Sequence, residues 1–270
     1  MKIFANHAHT FPKEQRPDGT IEELMRLLDE CEIDKAVCFA PFQHRFKESG
    51  IRGSSVDWLY NQIEGNDRLV GFGTLDFERS DMEKQVEHIA ELGFKGIKIH
   101  PAHQEQNVMS EKLCSAYAAA EELGLFLSFH TGLHWHRIAD YNMLLFDEVA
   151  WHYPKLRFSL EHMGGFSFFR EAVLVMANNA RSSCRVYAGW TSIAMNQNGL
   201  RDAWSLTDEE LRTLINITGN ERSIFGLDFP YKGIEQAKQA IARIKGLDIP
   251  DEAKTGILGQ NLARELGIEL

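Results

Sequence analysis

Short apolar runs, rich in β-branched and aromatic residues, alternate along this chain with longer segments whose apolar positions recur every three to four residues. The runs predict strands at KIFAN (2–6), KAVCF (35–39), LVGFGTL (69–75), KGIKI (95–99), LFLSF (125–129), RFSL (157–160), RVYA (185–188) and SIFGL (223–227). RVYAGWTS reads either as a strand or as part of a loop. Between the runs, IEELMRLLDECEI sets Ile21, Leu24, Leu28 and Cys31 along one helical face. MEKQVEHIAELG and EKLCSAYAAAEELG each stop at a glycine, the usual end of a helix. LTDEELRTLINITG offers Thr207 as an N-cap with Glu210 three residues on, the pattern of a capping box. GIEQAKQAIARIKG supplies a helix after the eighth strand, and DEAKTGILGQNLARELGI a last helical piece.

Eight strand–helix units in a chain of 270 residues predict an α/β fold of the (β/α)8 TIM-barrel type, with one domain over residues 1–270. No linker or low-complexity tract divides the chain. A doubly wound open sheet would commonly bring a glycine-rich first turn, and NHAHTFPKE contains no glycine.

Composition adds constraints. Hydrophobic residues at 44% and charged residues at 25% are ordinary for a soluble globular protein. There are 29 basic and 39 acidic residues, a formal charge of −10, which argues against a general nucleic-acid surface. It leaves room for an anionic small substrate, because a site's local charge can oppose the net charge. Apolar stretches such as LGLFLSF fall far short of the roughly 18–20 residues of a membrane span, and no signal-peptide pattern opens the sequence. Cys31, Cys38, Cys114 and Cys184 are scattered and read as reduced thiols of a cytoplasmic protein. The expected partner is a small molecule, with neither nucleic acid nor membrane involved. A homodimer is left open.

The chemistry begins with His7 and His9. Two histidines one residue apart at a strand end share a face, close enough to converge on one ion. Two polar residues leaving a strand for a loop would look the same. In a barrel, however, active-site groups gather at the C-terminal ends of the strands. Of eleven histidines, His7, His9, His100, His130 and His162 all fall within three residues of a predicted strand end, and Asp228 follows the last strand. Random placement would put about one histidine there, since those windows cover roughly 9% of the layout of a barrel of this kind.

In order, the motifs are HAH, GIKIHP, FHTG, EHMGG and GLDFP, with ILGQNLARELGI near the end. This series resembles the amidohydrolase superfamily, and within it the amidohydrolase 2 branch related to aminocarboxymuconate-semialdehyde decarboxylase. The resemblance covers essentially the whole chain. It implies that His7, His9, His130 and Asp228 ligate a divalent ion, with zinc expected. It implies that Asp228 also accepts a proton and that His162 polarises a substrate carbonyl or holds a water. Lys98 shares a strand face with His100. A carbamylated Lys98 could bridge two metals, or its ammonium could bind a substrate carboxylate. The single-metal reading is favoured, because the branch resembles mononuclear enzymes. Phosphoesterases of the polymerase-and-histidinol-phosphatase type also begin with HxH but differ in their later ligands.

Arg45 and Arg137 could pair with a substrate carboxylate, and Trp135 and Trp190 could cover a planar substrate. Lys98 and His100 join them as candidate substrate contacts. His134 and His136 form a second HxH-like pair, but in a loop with no strand to align them. His88 in a helical pattern and His103 and His152 in loops read as surface or packing residues, and Glu161 is expected to face the helices. The first functional expectation is a metal-dependent hydrolase of an amide, ester or lactone of a small organic acid. The alternative is a non-oxidative decarboxylase on the same scaffold. A barrel that binds metal or ligand without turnover is the third.

Overall fold

The computed structural model describes residues 1–193 and 203–270. In chain order the elements are β1 (Phe4–His9), α1 (Ile21–Glu30), β2 (Lys35–Phe39), α2 (Gln43–Phe46), α3 (Ser55–Ile63), β3 (Leu69–Gly73), α4 (Met82–Glu91) and β4 (Gly96–Ile99). Then follow α5 (Glu111–Glu122), β5 (Phe126–His130), α6 (Leu145–His152), β6 (Arg157–Glu161), α7 (Gly165–Asn178), β7 (Arg185–Trp190), α8 (Asp208–Thr218), β8 (Ser223–Phe229), α9 (Ile234–Gly246), α10 (Asp251–Thr255) and α11 (Asn261–Leu266). The strands pair in parallel in sequence order, and β8 closes on β1, with Asn6 opposite Gly226. This is the predicted TIM barrel. RVYAGW is a strand throughout, and Thr207 and Glu210 form the expected capping box at the start of α8.

Side-chain alternation sorts each strand into an inner and an outer face. Phe4, Val37, Phe39, Val70, Phe72, Phe126, Tyr187 and Ile224 fill the barrel interior, and Leu262 and Leu266 of α11 pack against them. The opposite positions, such as Ala36, Cys38, Ile97, Ile99, Leu127 and Phe129, belong to the larger core beneath the surrounding helices. The interior has little spare room. A Cβ added to Gly96 would lie 2.2 Å from the Phe126 carbonyl oxygen, so a side chain there would drive β4 and β5 apart.

Where the strands end, the alternation is broken deliberately. Phe4 and Asn6 face inward, so a straight β1 would send His7 and His9 out toward the helices. Instead the β1–β2 register slips between Ala5 and Ala8, a bulge with His7 at φ 66°. His7 and His9 both turn into the barrel mouth. His162 at φ 62°, Ser192 at φ 59° and Asp228 at φ 66° hold the same left-handed backbone after β6, after β7 and within β8. Non-glycine residues rarely adopt it, and each costs on the order of 1–3 kcal/mol.

Candidate metal centre and active site

His7, His9 and Asp228 converge at the C-terminal mouth of the barrel, with one ligating atom from each lying within 4.8 Å of the others. His7 Nε2 is 3.2 Å from His9 Nε2 and 3.5 Å from Asp228 Oδ1. Two nitrogens bound to one ion at 2.0–2.1 Å in tetrahedral geometry would stand about 3.3 Å apart, so the pair already has the spacing of a shared cation. Burial holds both imidazoles well below their usual pKa, keeping them neutral as ligation requires. Asp228 Oδ2 accepts a hydrogen bond from Ser192 Oγ at 2.6 Å, which leaves Oδ1 toward the histidines. Burial raises the Asp228 carboxyl to about 6, with the Ser192 hydrogen bond opposing the rise.

His130 and His162 complete the mouth. Their ring centroids are 4.8 Å apart, and His162 is 5.3 Å from His7. Among the described residues the buried Nε2 of His130 has no hydrogen-bond partner, the state of an imidazole nitrogen waiting for a ligand. These donors fit a divalent ion. Among the described residues the three-ligand group is His7, His9 and Asp228 alone, with His130 beside it.

Above the cluster opens a cavity of about 580 Å³. His9, His100, His130, His162 and Asp228 form its floor and walls, and Arg45 and Trp135 reach it from the loops. His100 Nδ1 accepts the backbone N–H of His103 at 3.2 Å. In a neutral ring, which burial enforces here, the proton then sits on Nε2, making His100 a neutral N–H donor.

Three sequence-derived substrate contacts lie elsewhere. Trp190 is fully buried in the outer core, because the inward position of Tyr187 places Trp190 on the opposite face of β7. Arg137 is 78% exposed, with its Nε 3.6 Å from Asp140, and does not line the cavity. Lys98 does point into the barrel, but below the cavity. It is fully buried, its Nζ lies 5.2 Å from the centre of the Phe39 ring with no hydrogen-bond partner among the described residues, and burial lowers it to about 7.

The sequence reading also missed contributors. His103, read as a surface or packing residue, and His134, read as a loop residue with no strand to align it, both line the cavity. Each sits four positions beyond the last residue of its strand, His103 one and His134 two positions outside the three-residue window applied to the sequence. Arg16, Trp204 and Tyr231 also line it. Glu161 does not face the helices, because Ser159 and Glu161 share the inward face of β6 and only His162 leaves the alternation. His88 and His152 do lie outside, beside Asp57 and Glu148.

A closed (β/α)8 barrel with a histidine and aspartate cluster at the C-terminal mouth defines a class of metal-site barrel enzymes. The amidohydrolase family model matches residues 10–268, and the chain belongs to that family. The match begins immediately after His9, so the HAH pair stands just outside it. Solved structures share the fold end to end. The 5-carboxyvanillate decarboxylase of Sphingomonas paucimobilis is 17% identical at a TM-score of 0.73, with 99% of each chain covered. A dihydroxybenzoic acid decarboxylase of Polaromonas, solved with bound manganese, is 16% identical at a TM-score of 0.69, covering 98% of this chain and 97% of that one. A proposed 2-pyrone-4,6-dicarboxylic acid hydrolase of Pseudomonas putida is 16% identical at a TM-score of 0.73, covering 100% and 98%. No helix among the described residues is long and apolar enough to cross a membrane.

Proposed function

We propose that this chain is a metal-dependent lyase that removes CO2, without oxidation, from a small aromatic carboxylic acid. The observation that carries this reading is the wall of the cavity. Phe11, Phe42, Trp135, Trp204 and Tyr231 offer flat apolar surface, and Arg16, Arg45 and Lys232 line the same space above the histidines, Arg16 beside Asp18 and Arg45 beside Glu48. That combination suits a planar ring bearing a carboxylate. The similarity to two aromatic-acid decarboxylases supports it. This reading places decarboxylation ahead of the hydrolysis first expected from the sequence.

His7, His9, His130 and Asp228 would hold the ion. When bound, a divalent cation supplies positive charge that fixes and polarises a substrate oxygen. The manganese in the similar Polaromonas enzyme makes Mn2+ a candidate beside Zn2+, and imidazole and carboxylate donors accept either. The rest of the chemistry falls to the chain. Aromatic decarboxylation needs a proton delivered to the ring carbon that bears the carboxylate. The C–C bond then breaks and its electron pair restores the aromatic ring. Asp228, at the same mouth, is the acid–base group of this reading, passing a proton at its carboxyl oxygen. His100 Nε2–H donates to a substrate oxygen, and His162 faces the developing charge. The aromatic walls exclude water from the ring.

Hydrolysis of a carboxylated lactone is the second reading, favoured by the similarity to the proposed pyrone hydrolase. One experiment separates the two. Protein loaded with Mn2+ or Zn2+ is incubated in H2(18)O with hydroxylated aromatic acids and carboxylated lactones. Released CO2 with no label in the remaining carbon skeleton supports the lyase. Label in a new carboxyl group, without CO2, replaces it with the hydrolase.

A further inference from the structure

Glu161 is fully buried at the end of β6, in the middle of the barrel. Four strands serve this one carboxylate. Asn6 Nδ2 of β1 donates to Oε1 at 2.7 Å and Ser128 Oγ of β5 at 3.2 Å, while Ser159 Oγ of β6 makes a very short third bond to the same oxygen. Thr191 Oγ1, just after β7, donates to Oε2 at 2.6 Å. The space is shaped for it, since a Cβ added to Gly189 would lie 2.3 Å from Oε2. Burying a carboxylate this deeply is expensive, and these donors offset the cost.

Its position explains what the arrangement achieves. Oε2 lies 3.1 Å from His7 Nδ1, the ring nitrogen opposite the Nε2 that faces His9 and Asp228. The contact falls outside hydrogen-bond alignment, and Nδ1 has no other partner among the described residues. A small rotation of the His7 ring would complete it. We propose that Glu161 is a positioning residue that keeps the proton of His7 on Nδ1, turning the Nε2 lone pair toward the cation. The proposal rests on the metal reading of His7, His9 and Asp228. A carboxylate behind a ligating imidazole fixes its tautomer and strengthens it as a ligand, and losing such a partner typically costs about 10–100-fold in metal affinity.

The test uses metal-free protein titrated with Mn2+ in a calorimeter. Glu161→Gln keeps the size, and the neighbouring hydroxyls and the Asn6 amide can reverse to accept its NH2 group. It is expected to weaken Mn2+ binding about 10–100-fold and to shift the visible spectrum of the Co2+-loaded protein. Ser128→Ala removes one donor from Glu161 without touching the His7 contact, and is expected to bind Mn2+ like the parent. Equal weakening in both variants would make Glu161 a structural element only and overturn the proposal. His7→Ala separates the two levels of the argument. If it loses Mn2+ while Glu161→Gln binds like the parent, the positioning role fails and the metal site stands. If His7→Ala binds normally, both fail. The tautomer is read directly, in the parent protein, from 15N–1H imidazole correlations. Without metal, His7 is expected to carry its proton on Nδ1, and a proton on Nε2 would overturn the proposal whatever the variants do.

Discussion

The imidazoles of His100 and His130 stack with their ring centroids 3.8 Å apart and their planes 8° from parallel. Both rings are kept neutral mainly by burial, so neither burdens the other with charge. The stack fixes His130 beside the His7, His9 and Asp228 group while His100 presents Nε2–H to the cavity. One residue thus props a neighbour on its face and offers a donor at its edge.

His100→Phe separates those two tasks, because a phenyl ring can stack but cannot donate. Metal content should stay near that of the parent. The KM for a carboxylated substrate should rise about tenfold or more, the loss of a hydrogen bond to a charged group being worth ~1.5–3 kcal/mol. Steady-state kinetics beside elemental analysis decide it. An unchanged KM would remove His100 from the substrate contacts.

The ligands and the catalytic groups should part company in the same assays. His7→Ala deletes a ligand and should lower metal occupancy itself. Asp228→Asn keeps one coordinating oxygen and should retain measurable metal while turnover drops by something like 10²–10⁴-fold, as when an acid–base group is removed. His162→Ala should keep the metal and lose mainly kcat. Equal metal loss in all three variants would reduce the cluster to a binding site.

Trp190 belongs to the packing and not to the cavity. Trp190→Ala should lower the unfolding free energy by about 3–5 kcal/mol, the range for emptying a large aromatic from a core. Urea denaturation measures it. A stable variant with a raised KM would return Trp190 to the substrate site.

Lys98 makes stability depend on pH. Its ammonium, ordinarily near 10.5, falls to about 7 inside the barrel. Between those values the unfolded chain holds a proton that the folded chain lacks. Raising the pH through that window therefore stabilises the fold, by up to about 1.4 kcal/mol per unit. Below pH 7 both states carry the proton and the cost of the buried charge is fully present. In metal-stripped protein, chemical denaturation at pH 7, 8 and 9 should show this rise, and Lys98→Met should flatten it.

How much of this was legible in the sequence depended on whether a local pattern sufficed. Strands and caps did. KAVCF is strand in full, and Thr207 and Glu210 announce the start of α8, because period-two burial and capping are local physics. The site was half legible. Histidines after strand ends marked the mouth, but which way they pointed did not follow from alternation. The bulge that turns His7 inward and the left-handed backbone of His162 are set by pairing across the barrel, as the β1–β2 register is. The same reasoning mistook Glu161 for a helix-facing residue and Trp190 for a substrate contact. Loop side chains such as His103 and His134 were harder still, since their place depends on how β4 and β5 stand next to each other.

The four left-handed positions also bear on how the protein can change over generations. Glycine at 7, 162, 192 or 228 would relax the backbone at no steric cost, so breeding variants for heat tolerance alone would reward that substitution. Each such gain would remove a histidine, an aspartate or the serine that holds the aspartate. At these codons durability and chemistry pull in opposite directions. Lineages freed from the need for turnover should lose the mouth of the barrel long before its walls.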